Sequence, residues 1–212
     1  CFSTLAKPAS LNSASAMPFK ALLHRASNSA FGNASDPLGA AAPNAYSAVM
    51  SQAPSPIRPT DAEAIALAQH LLATARFAAL GVLDPDTGSP LVSRIAFGQD
   101  ATATPLTLIS DLSAHARAIA QDPRVSLLVG EPGTKGDPLT HPRLTLLAHA
   151  SPIPRHGPEH SALTQLWLST HPKSKLYIGF ADFGFVRFHP LKLYLNGGFG
   201  RAFHLTPADL RT

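Results

Sequence analysis

From Phe77 to Leu195 the apolar residues come in short runs, each cut off by Gly, Pro, Asp or Asn. Residues 77–83 (FAALGVL), 90–98 (PLVSRIAFG), 105–110 (PLTLIS), 124–130 (RVSLLVG), 143–150 (RLTLLAHA), 183–188 (FGFVRF) and 191–195 (LKLYL) all have strand length. The DPDTG segment between the first two is strong turn chemistry and makes them a hairpin. Helical spacing is confined to residues 61–76, 114–121 and 156–169. Strands this short, mostly joined by turns, argue against a doubly wound parallel sheet. They predict a small antiparallel barrel with flanking helices, mainly β within the α+β class.

The patterned region starts at Ile57. Thr60 and Glu63 have capping-box spacing ahead of Ile65, Ala68, Leu72 and Ala75. Residues 1–56 are rich in Ala, Ser, Asn and Pro and carry a single acid, Asp36. That composition buries too little to offset its ordering entropy, so 1–56 reads as a low-complexity leader and 57–212 as the folded domain. The leader has three readings: a transit peptide, sequence upstream of a start at Met50, or a tail that docks on a partner. The second is preferred.

Several function classes are excluded. Cys1 is the one cysteine, so neither an intrachain disulfide nor a cysteine metal cluster is available. This fits a cytoplasmic protein, or an organellar one if the leader is a transit peptide. No apolar run approaches the roughly 18 residues a membrane span needs. The formal charge of +4 comes from scattered Lys and Arg, without a stripe or motif for nucleic acid. Of the 10 histidines, His156 and His160 are four apart, but they lie at a Pro-flanked helix start with no evident third ligand, so no metal site is expected. No nucleophile elbow, Walker or Rossmann glycine pattern occurs.

What remains is an anion seat. In 106–130 (LTLISDLSAHARAIAQDPRVSLLVG) a strand runs into a helix start crowded by Ser110, Asp111, Ser113, His115 and Arg117. Helix starts attract anions through their free N–H groups. Ser113 also reads simply as the N-cap. Arg94 stands mid-strand on the Val92/Ala96 face and needs either an anion or an exit to solvent. Arg143 shares a face with Thr145, Leu147 and His149 and is a further cation. A phosphate on these groups and a flat ring on the barrel wall describe flavin mononucleotide, FMN.

Four segments (PLVSRIAFG, ISDLSAHARAIAQDPRVSLL, KGDPLTHPRLTL, and ADFGFVRFHP with LNGGFGRAFHLTPADL) resemble the split-barrel flavin proteins related to pyridoxamine 5′-phosphate oxidase. More narrowly, they are similar to the haem-utilisation branch. The resemblance implies a six-stranded antiparallel split barrel, a homodimer and two ligand sites across its interface. It implies cofactor contacts at Arg94, Ser110, Ser113 and His115; Ile95 and Arg143 complete the expected cofactor contacts, and no metal or catalytic residue is assigned. His115 stands where the oxidases commonly have Lys. Asp182 matches the branch's Asp-Phe pair, and His204 is the nearest histidine to its C-terminal axial ligand. The leading expectation is an FMN-dependent oxidoreductase of unknown small-molecule substrate. The alternatives are a haem-binding protein on the same fold and a non-catalytic interaction barrel.

Overall fold

The computed structural model describes residues 57–211. The readings of Cys1, Met50 and the leader lie outside the described residues.

Nine strands and three helices follow one another as β1 (Ile57–Arg58), α1 (Ala62–Thr74), β2 (Phe77–Leu83), β3 (Pro90–Ala96), β4 (Gly98–Gln99), β5 (Pro105–Ser110), α2 (Ala114–Gln121), β6 (Arg124–Val129), β7 (Arg143–Pro152), α3 (Pro158–Thr170), β8 (Phe183–Asn196) and β9 (Ala202–Leu205). The sheet runs β1-β9-β8-β7-β6-β2-β3, with β5 pairing β4 and the first half of β8. Every pairing is antiparallel except β1 with β9. At Phe97 the chain passes from β3 into β4, which carries the wall round to β5. Six strands, with β3 and β4 counted as one, thus wrap a common interior, and this is the expected split barrel.

Period-two alternation decides what enters that interior. Ala78, Leu80 and Val82 of β2, Val125, Leu127 and Val129 of β6, and Leu144, Leu146 and Ala148 of β7 are buried in it. Ala64, Ala68 and Leu72 of α1 cover one end, and Ala118 and Ile119 of α2 pack on the same core. Strand β5 does not alternate, because it is buried on both sides. Ile109 faces the barrel, whereas Leu106 and Leu108 join Leu163, Trp167 and Phe185 in a second core under α3. Thr107, fully buried, donates to the Ala96 carbonyl at 2.6 Å. Trp167 donates its indole N–H to the buried Ser174 hydroxyl at 3.0 Å.

Two local expectations change. The cap of α1 is Asp61, whose carboxylate accepts from the Ala64 N–H at 2.7 Å. Thr60 instead donates to the His204 carbonyl, and the capping box occurs at Thr206 and Asp209. Residues 183–188 and 191–195 are not two strands but one, β8. Pro190, which has no N–H to give, lies opposite Ala148 where the β7–β8 register slips, so the strand continues past it.

Candidate functional site

The start of α2 is built as the sequence suggests. Ser113 is the N-cap, accepting from the Ala116 N–H at 3.2 Å and donating to the Ser110 carbonyl at 2.7 Å. Its neighbours are acidic, however. Ser110 donates to the Asp182 carboxylate at 2.5 Å. Arg155 reaches the Asp111 carboxylate and donates to the carbonyls of Phe183 and Asp182. Both serine hydroxyls are therefore committed, and the two nearby carboxylates, Asp182 on Ser110 and Asp111 on Arg155, would repel a phosphate brought to this helix start.

His115 turns away from this cluster toward β3. Its Nδ1 lies 3.0 Å from Ser93 Oγ. Burial holds the imidazole below its ordinary value, so it favours the neutral ring. A neutral histidine supplies no charge to a phosphate.

Arg94 follows Ser93 by one residue and so leaves β3 on the opposite face. Its guanidinium lies over the Phe77 ring, 5.1 Å from the centroid. Ile95 points into the barrel and is 4% exposed, so its side chain is core. Arg143 donates to the carbonyls of Leu139 and His141, at 2.9 and 3.4 Å, and holds a loop rather than standing free. The expected convergence of Arg94, Ser113 and His115 on one point does not occur within one chain. Strand β3 stands between Arg94 and the other two.

The outer sheet face collects something different. Register places Arg94, Ala79, Leu128, Thr145, Tyr194 and His204 in one row across β3, β2, β6, β7, β8 and β9. The next row holds Val92, Gly81, Ser126, Leu147 and Lys192. Three side chains here are apolar yet open to solvent: Val92 at 68%, Leu128 at 41% and Leu147 at 37% exposed. The cations Arg94 and Lys192 flank them, and Lys192 lies over Tyr194 as Arg94 does over Phe77. Below Arg94 a groove of about 170 Å³ is lined by Phe77, Leu128, Gly130 and Glu131. It adjoins a second groove of about 320 Å³ along the end of α1. Phe77, Leu128 and Glu131 were not singled out from sequence. The alternation that exposed Arg94 also exposes Phe77, but only strand order reveals that they share one surface with Leu128.

The rim of this groove is the long loop between β6 and β7. Gly130 opens it at φ +97°, and a Cβ there would lie 2.6 Å from the Pro142 carbonyl where the loop returns. Only glycine fits that crossing.

This barrel belongs to a known class. The chain is a member of the CREG β-barrel family, whose model matches residues 59–210. It is 37% identical to the protein Atu2129 from Agrobacterium tumefaciens str. C58, with TM-score 0.62, covering 76% of this chain and 66% of that one. It is 28% identical to a heme binding protein from Mycobacterium smegmatis, with TM-score 0.63, covering 73% and 61%. A curated relative, the chloroplastic non-canonical heme oxygenase HOZ of Arabidopsis thaliana, is 28% identical over 116 residues, 55% of this chain. The chain spans 34% of that relative's length. The expected kinship with oxidase-like split barrels of the haem-utilisation branch therefore holds.

Proposed function

We propose that this protein binds haem on the outer sheet face, as one half of a homodimer that closes over that face. The observation that carries the reading is the exposed patch of Val92, Leu128 and Leu147, spread over two adjacent rows of the sheet face, with Arg94 at its edge. Monomeric proteins seldom leave such a surface open, and a flat apolar ring with anionic arms matches it chemically. Arg94 would hold a propionate, and the aliphatic patch would cover the porphyrin. The row from Arg94 to His204 crosses five strand spacings, about 24 Å along the sheet. One porphyrin does not reach both residues in one chain, which favours a site shared between two chains. The similarity to a heme binding protein and to a heme oxygenase supports the same reading. What the bound haem undergoes, storage, transfer or cleavage, lies beyond this reading.

The flavin reading loses its main support in this chain. Its phosphate would meet Asp111 and Asp182 at the helix start, a neutral His115, and an Arg94 on the far side of β3. The test is direct titration. Haemin should give a sharp Soret band and saturate at one per chain or one per shared site, while FMN should bind weakly. Tight FMN binding without a Soret shift would overturn the proposal.

A further inference from the structure

Residues 171–181 (HPKSKLYIGFA), between α3 and β8, hold apolar side chains in water on a fixed frame. Ser174 is buried at its centre. The Ser174 hydroxyl accepts from the Trp167 indole N–H at 3.0 Å and lies 3.0 Å from the Tyr177 hydroxyl. The Ser174 carbonyl accepts from the N–H groups of Tyr177 and Ile178, at 3.0 and 2.8 Å. The Phe180 N–H then donates to the Tyr177 carbonyl at 2.9 Å, and the Phe183 N–H to the Phe180 carbonyl at 3.1 Å. On this frame Leu176 is 79% and Phe180 58% exposed. Their exposure is set by a hydrogen-bonded turn, not by a loose chain.

The charges around them favour an anionic partner. Lys173 and Lys175 are exposed in the same turn, and no acid occurs from His171 to Ala181. Where the segment ends, the Asp182 carbonyl accepts the Asp111 N–H at 2.8 Å, which brings the exposed Leu112 to this end of the molecule. Asp182 holds the Ser110 hydroxyl, and Asp111 pairs with Arg155. Lys173, Lys175 and Arg155 thus outnumber Asp111 and Asp182. Beside Asp111 and Arg155 a cleft of about 460 Å³ opens under α2. Its floor is Ile109, Ile153, Phe185 and Val186, all buried, and the small Ala116 and Ala120 of α2 leave it room. The cleft shares no residue with the groove below Arg94.

We propose that this turn is a contact tip for an anionic lipid surface. Leu176 and Phe180 enter the headgroup boundary, and Lys173 and Lys175 lie against the lipid phosphates with their stems on the apolar side. A lipid fits better than an acidic protein. Two exposed side chains fall far short of the roughly 800 Å² per partner that a stable protein interface buries. The apolar cleft opening beside the tip has the chemistry of acyl chains. No helix among the described residues is long and apolar enough to cross a membrane, so the contact is peripheral. The proposal does not rest on the haem reading.

The test is co-sedimentation of the full chain with vesicles, made of phosphatidylcholine alone or mixed with phosphatidylserine. The protein should sediment with the mixed vesicles and much less with phosphatidylcholine alone, and added salt should release it. Lys173→Gln with Lys175→Gln should weaken binding about tenfold or more, since each lysine near an anionic surface contributes roughly fivefold. Phe180→Ser should also weaken binding about tenfold or more. Both changes lie on exposed side chains, and unchanged Trp167 fluorescence confirms that the frame beneath them is intact. Phe199→Ser removes a phenylalanine that is 95% exposed in the β8–β9 turn, and should leave binding unaltered. Failure to bind the mixed vesicles, full binding by Phe180→Ser, or an equal loss in Phe199→Ser overturns the proposal. So does a fall in mass by light scattering for Phe180→Ser without lipid, which would make the tip a contact between copies.

Discussion

Ser93 Oγ and His115 Nδ1 meet at 3.0 Å across a sequence gap that no local pattern bridges. The contact fastens α2 to β3 and holds the imidazole in a half-buried position. Burial lowers its folded-state value, while the unfolded ring titrates near 6.5. Between those two values the unfolded chain binds more protons, so stability falls as pH drops below about 6.5 and is fully present above it. Urea denaturation at pH 7.5 and 5.5 should show that loss in the wild type and a smaller one in His115→Gln. An equal loss in both would assign it to another group.

Arg94 offers a sharper test of the ligand face. Its side chain is exposed, and its recorded contact is the Phe77 ring, worth about 0.5–1 kcal/mol at such a site. Arg94→Ala should therefore leave folding nearly unchanged. Removing one charge-assisted contact to a propionate should weaken haemin binding by about 1.5–3 kcal/mol, roughly 10- to 150-fold. Unaltered haemin affinity in a folded variant would remove Arg94 from the site.

The same face should carry the partner chain. Light scattering on the wild type should give twice the chain mass. Leu147→Glu places a charge on the exposed sheet face and should shift the species toward monomer, because an unpaired buried charge costs several kcal/mol. A wild-type monomer, or an unaffected Leu147→Glu dimer, would count against this interface.

Gly130 tests the architecture of the rim. At φ +97°, with backbone only 2.6 Å from the position of a Cβ, Gly130→Ala must strain the chain or open the loop base. The cost should exceed about 1 kcal/mol, read as a lowered urea midpoint. Gly88→Ala has φ +69° but open space around it, so it should be milder.

Much of the fold is legible locally. The β2–β3 hairpin, the Ser113 cap of α2 and the limits of β5 all follow from turn residues, capping chemistry and alternation. Alternation also separates the Ser93 and Arg94 faces of β3. It does not say what lies across from either face, because His115 reaches Ser93 through tertiary packing and Leu128 reaches Arg94's row through strand order. The sequence suggests a phosphate seat because Ser110, Asp111, Ser113 and His115 fall within one short stretch, 110–115. In space Ser110 and Asp111 pair with Asp182 and Arg155, which arrive from more than 40 residues away. The β8 reading failed at Pro190 for a comparable reason. A proline ends a strand only when its missing N–H was needed, and the bulge at Leu191 of β8, opposite Leu147 and Ala148, removes that need.

Strand β5, with one side in the barrel and the other under α3, has a consequence for how the molecule comes apart. Neither core can be lost while the other persists, since both depend on the same six residues staying extended. Heating residues 57–211 should give a single calorimetric peak whose measured and van't Hoff enthalpies agree. The Trp167 fluorescence change, reporting from the outer core, should trace the same curve as circular dichroism of the barrel.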